Sequence, residues 1–241
     1  MKKLRCPCLR SRLIEFLIRS AQFLEVSPIV KYSALSLFAD RFYPALSGLE
    51  DSKVMKNWLL HPIGECNLQL FALVSLWISS KIHDSPPLSV KNFKSLGDKF
   101  IKEQHFTMGD ILEAEIVLMQ VLQFGIGTSK IAFASVEELL VQFKAVAQVG
   151  EHVKFEACMD VMDLLYENEE TSVLYSSPEA LAASVVVVGY IITVPPQKWE
   201  FPVLPWVKFV TSCKEEDVVN TVRVILEHIF QPQAGYYVTN G

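Results

Sequence analysis

Residues 68–81 read LQLFALVSLWISSK, and their apolar side chains do not gather into one stripe. At 3.6 residues per turn, Leu70, Phe71, Leu73, Val74, Leu76, Trp77 and Ile78 point in every direction. A helix that is apolar all round is normally enclosed by other helices. A second such run, ALAASVVVVGYIITV, lies at Ala180–Val194. It is too short to cross a bilayer comfortably and reads as a buried core helix. Two enclosed helices at corresponding places predict a two-fold repeat of one helical unit.

The flanking pattern supports that prediction. Helical periodicity dominates and sustained strand alternation is missing. Leu13, Ile14, Phe16, Leu17, Ala21 and Leu24 mark a first amphipathic helix. Ser27-Pro28, an N-cap followed by proline, starts a second that runs to Asp40-Arg41-Phe42. Residues 45–62 read as a long connection with one short helix. The enclosed third helix spans Ile63 to Ile82, and His83-Asp84-Ser85-Pro86-Pro87 stops it. A short fourth helix covers Ser89–Leu96. Thr107-x-x-Asp110 is a capping-box variant opening a fifth helix through Phe124, with Gly125-Ile126-Gly127 expected to end it.

The second half follows the same scheme. Val136–Val149 and Val153–Tyr166 are amphipathic, with Gly150 as the break between them. Ser177-Pro178-Glu179 caps the enclosed helix and Pro195-Pro196 stops it. A short helix at Leu204–Ser212 and a last one at Glu215–Phe230 complete five per half. The linker falls near residues 127–133.

Composition bounds the function. Of 241 residues, 51% are apolar and 20% charged, which suffices for a sizeable core. The net charge is −5 with no long basic block, so bulk binding to nucleic acid or an anionic membrane is not expected. Cys6, Cys8, Cys66, Cys158 and Cys213 are odd in number and scattered, and no N-x-[ST] site occurs. That usage predicts a reduced, intracellular protein of the nucleus, the cytoplasm or both. Lys2, Lys3, Arg5, Arg10 and Arg12 read as solvated charge ahead of a helix. Arg12, Glu15 and Arg19 break the N-terminal apolar segment, so no signal peptide is expected. Cys6-Pro7-Cys8 lacks a second Cys/His pair at zinc spacing, and no metal or cofactor is expected.

Enzyme signatures are missing. There is no H-E-x-x-H, phosphate loop, dinucleotide fingerprint or aspartate-rich box. Gly125-x-Gly127 follows a helix rather than a strand and is too short for a phosphate loop. His61, His83, His105, His152 and His228 are dispersed. No catalytic residue is assigned.

The residues resemble those of the cyclin family. Leu68-Gln69-Leu70, then Ser79-Ser80-Lys81 before an acidic, proline-containing turn, is similar to the central helix of the cyclin box. Asp40-Arg41-Phe42 resembles the D-R-F signature closing its second helix. Glu115 followed by Val121-Leu122-Gln123-Phe124 resembles its fifth helix. Tyr175-Ser176-Ser177-Pro178-Glu179-Ala180-Leu181-Ala182-Ala183 is similar to the helix opening of the second repeat. The order and spacing of these elements carry the resemblance over nearly the whole chain. Compact length and the Pro-Pro-Leu-Ser-Val run at 86–90 most resemble the small plant J-type cyclins.

The resemblance implies an all-α cyclin fold of two tandem five-helix bundles: an N-terminal cyclin box over 1–127 and a C-terminal repeat over 128–241. It implies a regulatory subunit that binds and activates a cyclin-dependent Ser/Thr kinase as a heterodimer, in cell-cycle control. Lys81 and Glu115 would hydrogen-bond to the kinase around its mobile regulatory helix, with Ile82, Met119, Phe124 and Ile126 packing on that helix. Asp40 would form a structural ion pair with Arg10 or Arg12. In many cyclins a helix-one groove docks R-x-L motifs. Here the matching run is Leu9-Arg10-Ser11-Arg12-Leu13, with Arg12 in an apolar place and Phe16 where tryptophan is usual. R-x-L docking is therefore not expected. The rival reading is a cyclin-fold interaction module, scaffold-like or transcription-related, that activates no kinase. Retention of both Lys81 and Glu115 argues against it.

Overall fold

The computed structural model describes residues 7–48, 57–127, 130–168 and 171–230. Cys6, Lys2, Lys3, Arg5, part of the 45–62 connection, part of the 127–133 linker and the tail beyond Phe230 lie outside the described residues. Ten helices of eight residues or more occur among the described residues, and no strand. The chain divides into two compact units. One comprises Met1–Ile131 with Tyr166–Val173, the other Ala132–Leu165 with Leu174–Gly241. Among the described residues no helix is long and apolar enough to cross a membrane.

In the first unit, α1 (Pro7–Phe23) buries Leu13, Ile14, Leu17, Ile18 and Ala21 at helical spacing. It ends with Glu25 in the left-handed region, where Val26 N–H reaches the Ala21 carbonyl and Glu25 N–H that of Gln22. Those two bonds satisfy carbonyls that a helix end would leave unpaired. Helix α2 (Pro28–Leu35) has proline in its first turn, as expected. Ser27 does not cap it through its side chain. Its hydroxyl turns to the Asp84 carboxylate at 3.4 Å instead. The chain then continues as a π-helix over Ser36–Phe42 before short turns at Tyr43–Ala45 and Leu46–Gly48.

Helix α3 (Glu65–His83) is the enclosed one. Every residue from Leu70 to Ser80 is buried, and α1, α2, α4 (Val90–Phe100) and α5 (Met108–Val121) all pack against it. Its buried hydroxyls find local partners: Ser75 donates to the Phe71 carbonyl, and Ser80 accepts from Leu88 N–H. Helix α4 runs four residues past the expected Leu96. Helix α5 opens at the Thr107/Asp110 capping box, both of whose hydrogen bonds form. It closes at Val121, three residues before the expected Phe124.

In the second unit, α8 (Pro178–Thr193) is enclosed in the same way, buried from Leu181 to Tyr190. It packs against α6 (Ala132–Val146), α9 (Val203–Thr211) and α10 (Glu215–Phe230). Ser184 donates to the Ala180 carbonyl and lies 3.4 Å from that of Val218 on α10. Helix α7 (Phe155–Glu167) completes the set; its last two residues group with the first unit. Two glycines are sterically required here. A Cβ on Gly189 would sit 2.6 Å from the Cys158 sulfur, and one on Gly150 would sit 2.8 Å from the Phe143 carbonyl group. Gly150 lies in a 3-10 turn over Gln148–His152 after α6, so the expected break takes the form of a tight turn folded onto the helix end.

Candidate functional site

Lys81 lies in the last turn of α3, where the helix dipole favours a cation. Its ammonium meets the Glu115 carboxylate of α5 at 2.6 Å. The same ammonium stands 3.5 Å from the centre of the Trp77 ring, one turn back on α3. Trp77 is itself fixed: it is buried and donates from Nε1 to the Leu88 carbonyl at 3.1 Å. The lysine is therefore held by an aromatic face and a carboxylate, yet it remains 37% exposed, against 15% for Glu115. A pair this open adds only about 0.2–1 kcal/mol to stability. Its distinguishing property is orientation. An ammonium has three N–H donors, so groups remain for a partner.

Large apolar side chains stand exposed on the same helices and just beyond α5. Ile82 follows Lys81 and is 46% exposed; Phe124, beyond α5, is 65% exposed. Met119 and Ile126 are half-buried. The structure thus sets Lys81, Glu115, Ile82 and Met119 on α3 and α5, with Phe124 and Ile126 in the segment that leaves α5. Sequence reasoning missed Met108, Leu112 and Ile116, each about half exposed along α5. Their signal was present: Ile111, Ala114, Leu118 and Val121 already make one buried stripe. An apolar series at 108, 112, 116 and 119 is a second stripe with no core left to face.

The end of α5 differs from expectation. Gly125 does not supply the left-handed residue; Gln123 (φ 51°) and Phe124 (φ 60°) do. Gln123 N–H bonds the Gln120 carbonyl at 3.1 Å and Phe124 N–H that of Met119 at 2.8 Å. This paired pattern returns the chain over the last turn and brings Phe124 back toward Met119. Each non-glycine left-handed residue costs about 1–2 kcal/mol. A guanidinium offsets part of that strain: Arg41 Nη2 donates to the Gly125 carbonyl at 2.5 Å.

The expected Arg10–Asp40 ion pair takes an indirect form. Arg10 donates to the Tyr166 carbonyl at 3.0 Å, and the Tyr166 hydroxyl donates to Asp40 at 3.1 Å. Tyr166 therefore stands between the two charges and also stacks on Tyr32. A tyrosine 126 residues away from Asp40 cannot be inferred from local spacing. Burial pushes the Asp40 carboxyl up to about 6, against the lowering effects of Tyr166, Ser36 and the Arg10 guanidinium. Arg12, the other candidate partner, pairs with Glu65 at 2.8 Å. Among the described residues no group of three or more His, Cys, Asp or Glu could hold a metal ion.

Comparison with known proteins gives the family and the fold. Residues 3–127 match the family model of the cyclin N-terminal domain. The chain is 58% identical over 221 residues to Cyclin-J18 of Arabidopsis thaliana, covering 92% of this chain and 94% of that protein. It is 48% identical over 232 residues to Cyclin-J18-like of Oryza sativa subsp. japonica, covering 94% and 89%. The crystal structure of a viral cyclin from herpesvirus saimiri shares the fold, with a TM-score of 0.68 at 16% identity over 93% of this chain and 85% of that one. The chain belongs to the cyclin family, a regulatory and non-catalytic family, and has a cyclin-type regulatory role. Within it, the relatives identify a plant J-type cyclin.

Proposed function

We propose that this chain binds a cyclin-dependent Ser/Thr kinase as a heterodimer and activates it, in control of cell division in the nucleus or cytoplasm. The observation that carries the reading is the Lys81–Glu115 pair, closed at 2.6 Å, with Ile82 and Ile116 exposed on the same two helices and Phe124 exposed just beyond α5. A protein kinase needs an ion pair between its ATP-site lysine and a glutamate on a mobile helix. A partner that binds only the inward position of that helix shifts the population toward the active state. The exposed apolar residues suit the role of anchors, and the charged pair fixes the register. The Arg12–Glu65 bridge sets two charges on α1 and α3, where an R-x-L peptide would need an apolar floor. Substrate docking there is not part of the proposal.

The test is a pull-down from plant tissue with the wild-type protein and a Lys81→Ala/Glu115→Ala double variant. The wild type should recover a cyclin-dependent kinase that phosphorylates a histone-type substrate, and the variant should lose most of it. Equal recovery by both would move the interface elsewhere. Failure of the wild type to recover any kinase would leave the interaction-module reading.

A further inference from the structure

We propose that Arg41 is a positioning residue for the partner-facing surface: by holding the Gly125 carbonyl, it sets how Phe124 and Ile126 are presented. The inference rests on the kinase-binding reading above and concerns a different part of the same site. Lys81, Ile82, Glu115 and Met119 inherit their places from α3 and α5. Phe124 and Ile126 have no helix to hold them, because α5 ends at Val121. Side chains that meet a partner from such a segment need an anchor outside it.

The anchoring bond crosses 84 residues of sequence, from the π-helix after α2 to the exit of α5. It is charge-assisted, at 2.5 Å, and its acceptor is the carbonyl immediately after Phe124. It also explains how strain survives there. Two successive side-chain-bearing residues in the left-handed region persist only where surrounding contacts over-determine them. The helix-end hydrogen bonds of Gln123 and Phe124 hold this turn from the N-terminal side; Arg41 holds it from the C-terminal side. Consecutive residues thus serve separate tethers. Asp40 accepts from Tyr166, while Arg41 donates to Gly125. A shorter cation lacks the planar fork, so lysine should substitute only partly.

Three variants test this: Arg41→Ala, Arg41→Lys, and Arg41→Ala with Gln123→Gly. The measurements are affinity for the kinase recovered by the wild type, melting temperature, and amide hydrogen exchange over residues 122–127 of the free protein. Arg41→Ala should weaken affinity about tenfold, the scale of one well-placed interface residue. Exchange should quicken over 122–127 while α1 to α4 keep their protection. Arg41→Lys should fall between alanine and wild type. Gln123→Gly should recover part of the lost affinity, because glycine adopts a positive φ without strain. Unchanged affinity for Arg41→Ala would overturn the inference. So would faster exchange across all five helices, the mark of a general structural role. If the wild type captures no kinase, the reading it rests on fails, and exchange over 122–127 still decides whether Arg41 holds this segment.

Discussion

The two enclosed helices end differently. Five residues before Pro86-Pro87, α3 carries Lys81; five residues before Pro195-Pro196, α8 carries Tyr190. Lys81 reaches outward to Glu115 over the face of Trp77. Tyr190 turns inward and is buried, its ring centre 5.9 Å from that of Phe143 and 6.3 Å from that of Trp199. Phe143 in turn packs on Phe201 and Trp206. The corresponding position therefore carries a part-exposed charge in one unit and a core side chain in the other. A repeated scaffold does not carry a repeated site, since enclosure of a helix needs only apolar volume, whereas a site needs particular groups at its rim. The family match over residues 3–127 falls on the unit that carries the charged pair.

The most severe test of that contrast reverses the pair. Lys81→Glu with Glu115→Lys leaves two opposite charges that can still meet, and sacrifices the ammonium on Trp77, about 0.5–1 kcal/mol at such an exposed place, together with the favourable cation at the end of α3, about 0.3–1 kcal/mol. Thermal melting should therefore change by a few degrees at most. Kinase affinity should fall on the order of 100-fold, because the partner meets each charge with the wrong sign. Surface-immobilised binding of the recovered kinase measures this directly. A reversed pair that binds like the wild type would make the bridge a structural clip, and the two units would then differ in appearance only.

A second test concerns charge inside the first unit. Asp40 has a folded-state pKa near 6, raised from 3.8 by burial. A group whose folded pKa is raised contributes stability that is complete below the unfolded value and is lost as pH rises through the folded one. The wild type should thus lose ground between pH 4 and pH 7, by up to about 3 kcal/mol at 1.36 kcal/mol per pKa unit. Asp40→Asn cannot ionise and should escape that loss. Urea unfolding at both pH values reads it out. A difference between variant and wild type that stays constant with pH would mean that Asp40 titrates as an ordinary carboxylate.

These features were unequally legible in the sequence. The all-round apolar runs at 68–81 and 180–194 announce enclosed helices, because burial on every side leaves no polar stripe. The start of α5 is equally plain, since Thr107 and Asp110 satisfy the first turn by themselves. Its end was not. The left-handed turn at Gln123 and Phe124 is braced by Arg41 from a distant segment, and local propensity favours the glycines instead. Lys81 and Glu115 could be singled out only through family resemblance; the contact between them spans 34 residues and two helices. The Tyr166 bridge between Arg10 and Asp40 left no local signal at all. Contacts set by tertiary packing are invisible to periodicity, and the contacts of Arg41, Lys81 and Tyr166 are all of that kind.

The mildest test examines the inward end. Tyr190 keeps its hydroxyl buried without a well-formed hydrogen bond, the Phe201 backbone being the polar group near it. Leaving a buried polar group in that condition costs free energy, and removing it can be neutral or stabilising. Tyr190→Phe preserves the ring contacts with Phe143 and Trp199 and deletes only the oxygen. The variant should melt at or slightly above the wild-type temperature, a gain of less than about 1 kcal/mol. Kinase capture should be unchanged, since the position that holds Lys81 in the first unit has only a packing role in the second. A clear loss of stability would show that the hydroxyl is hydrogen-bonded after all. A loss of kinase capture at unaltered stability would give α8 a part in recognition and end the contrast between the two helices.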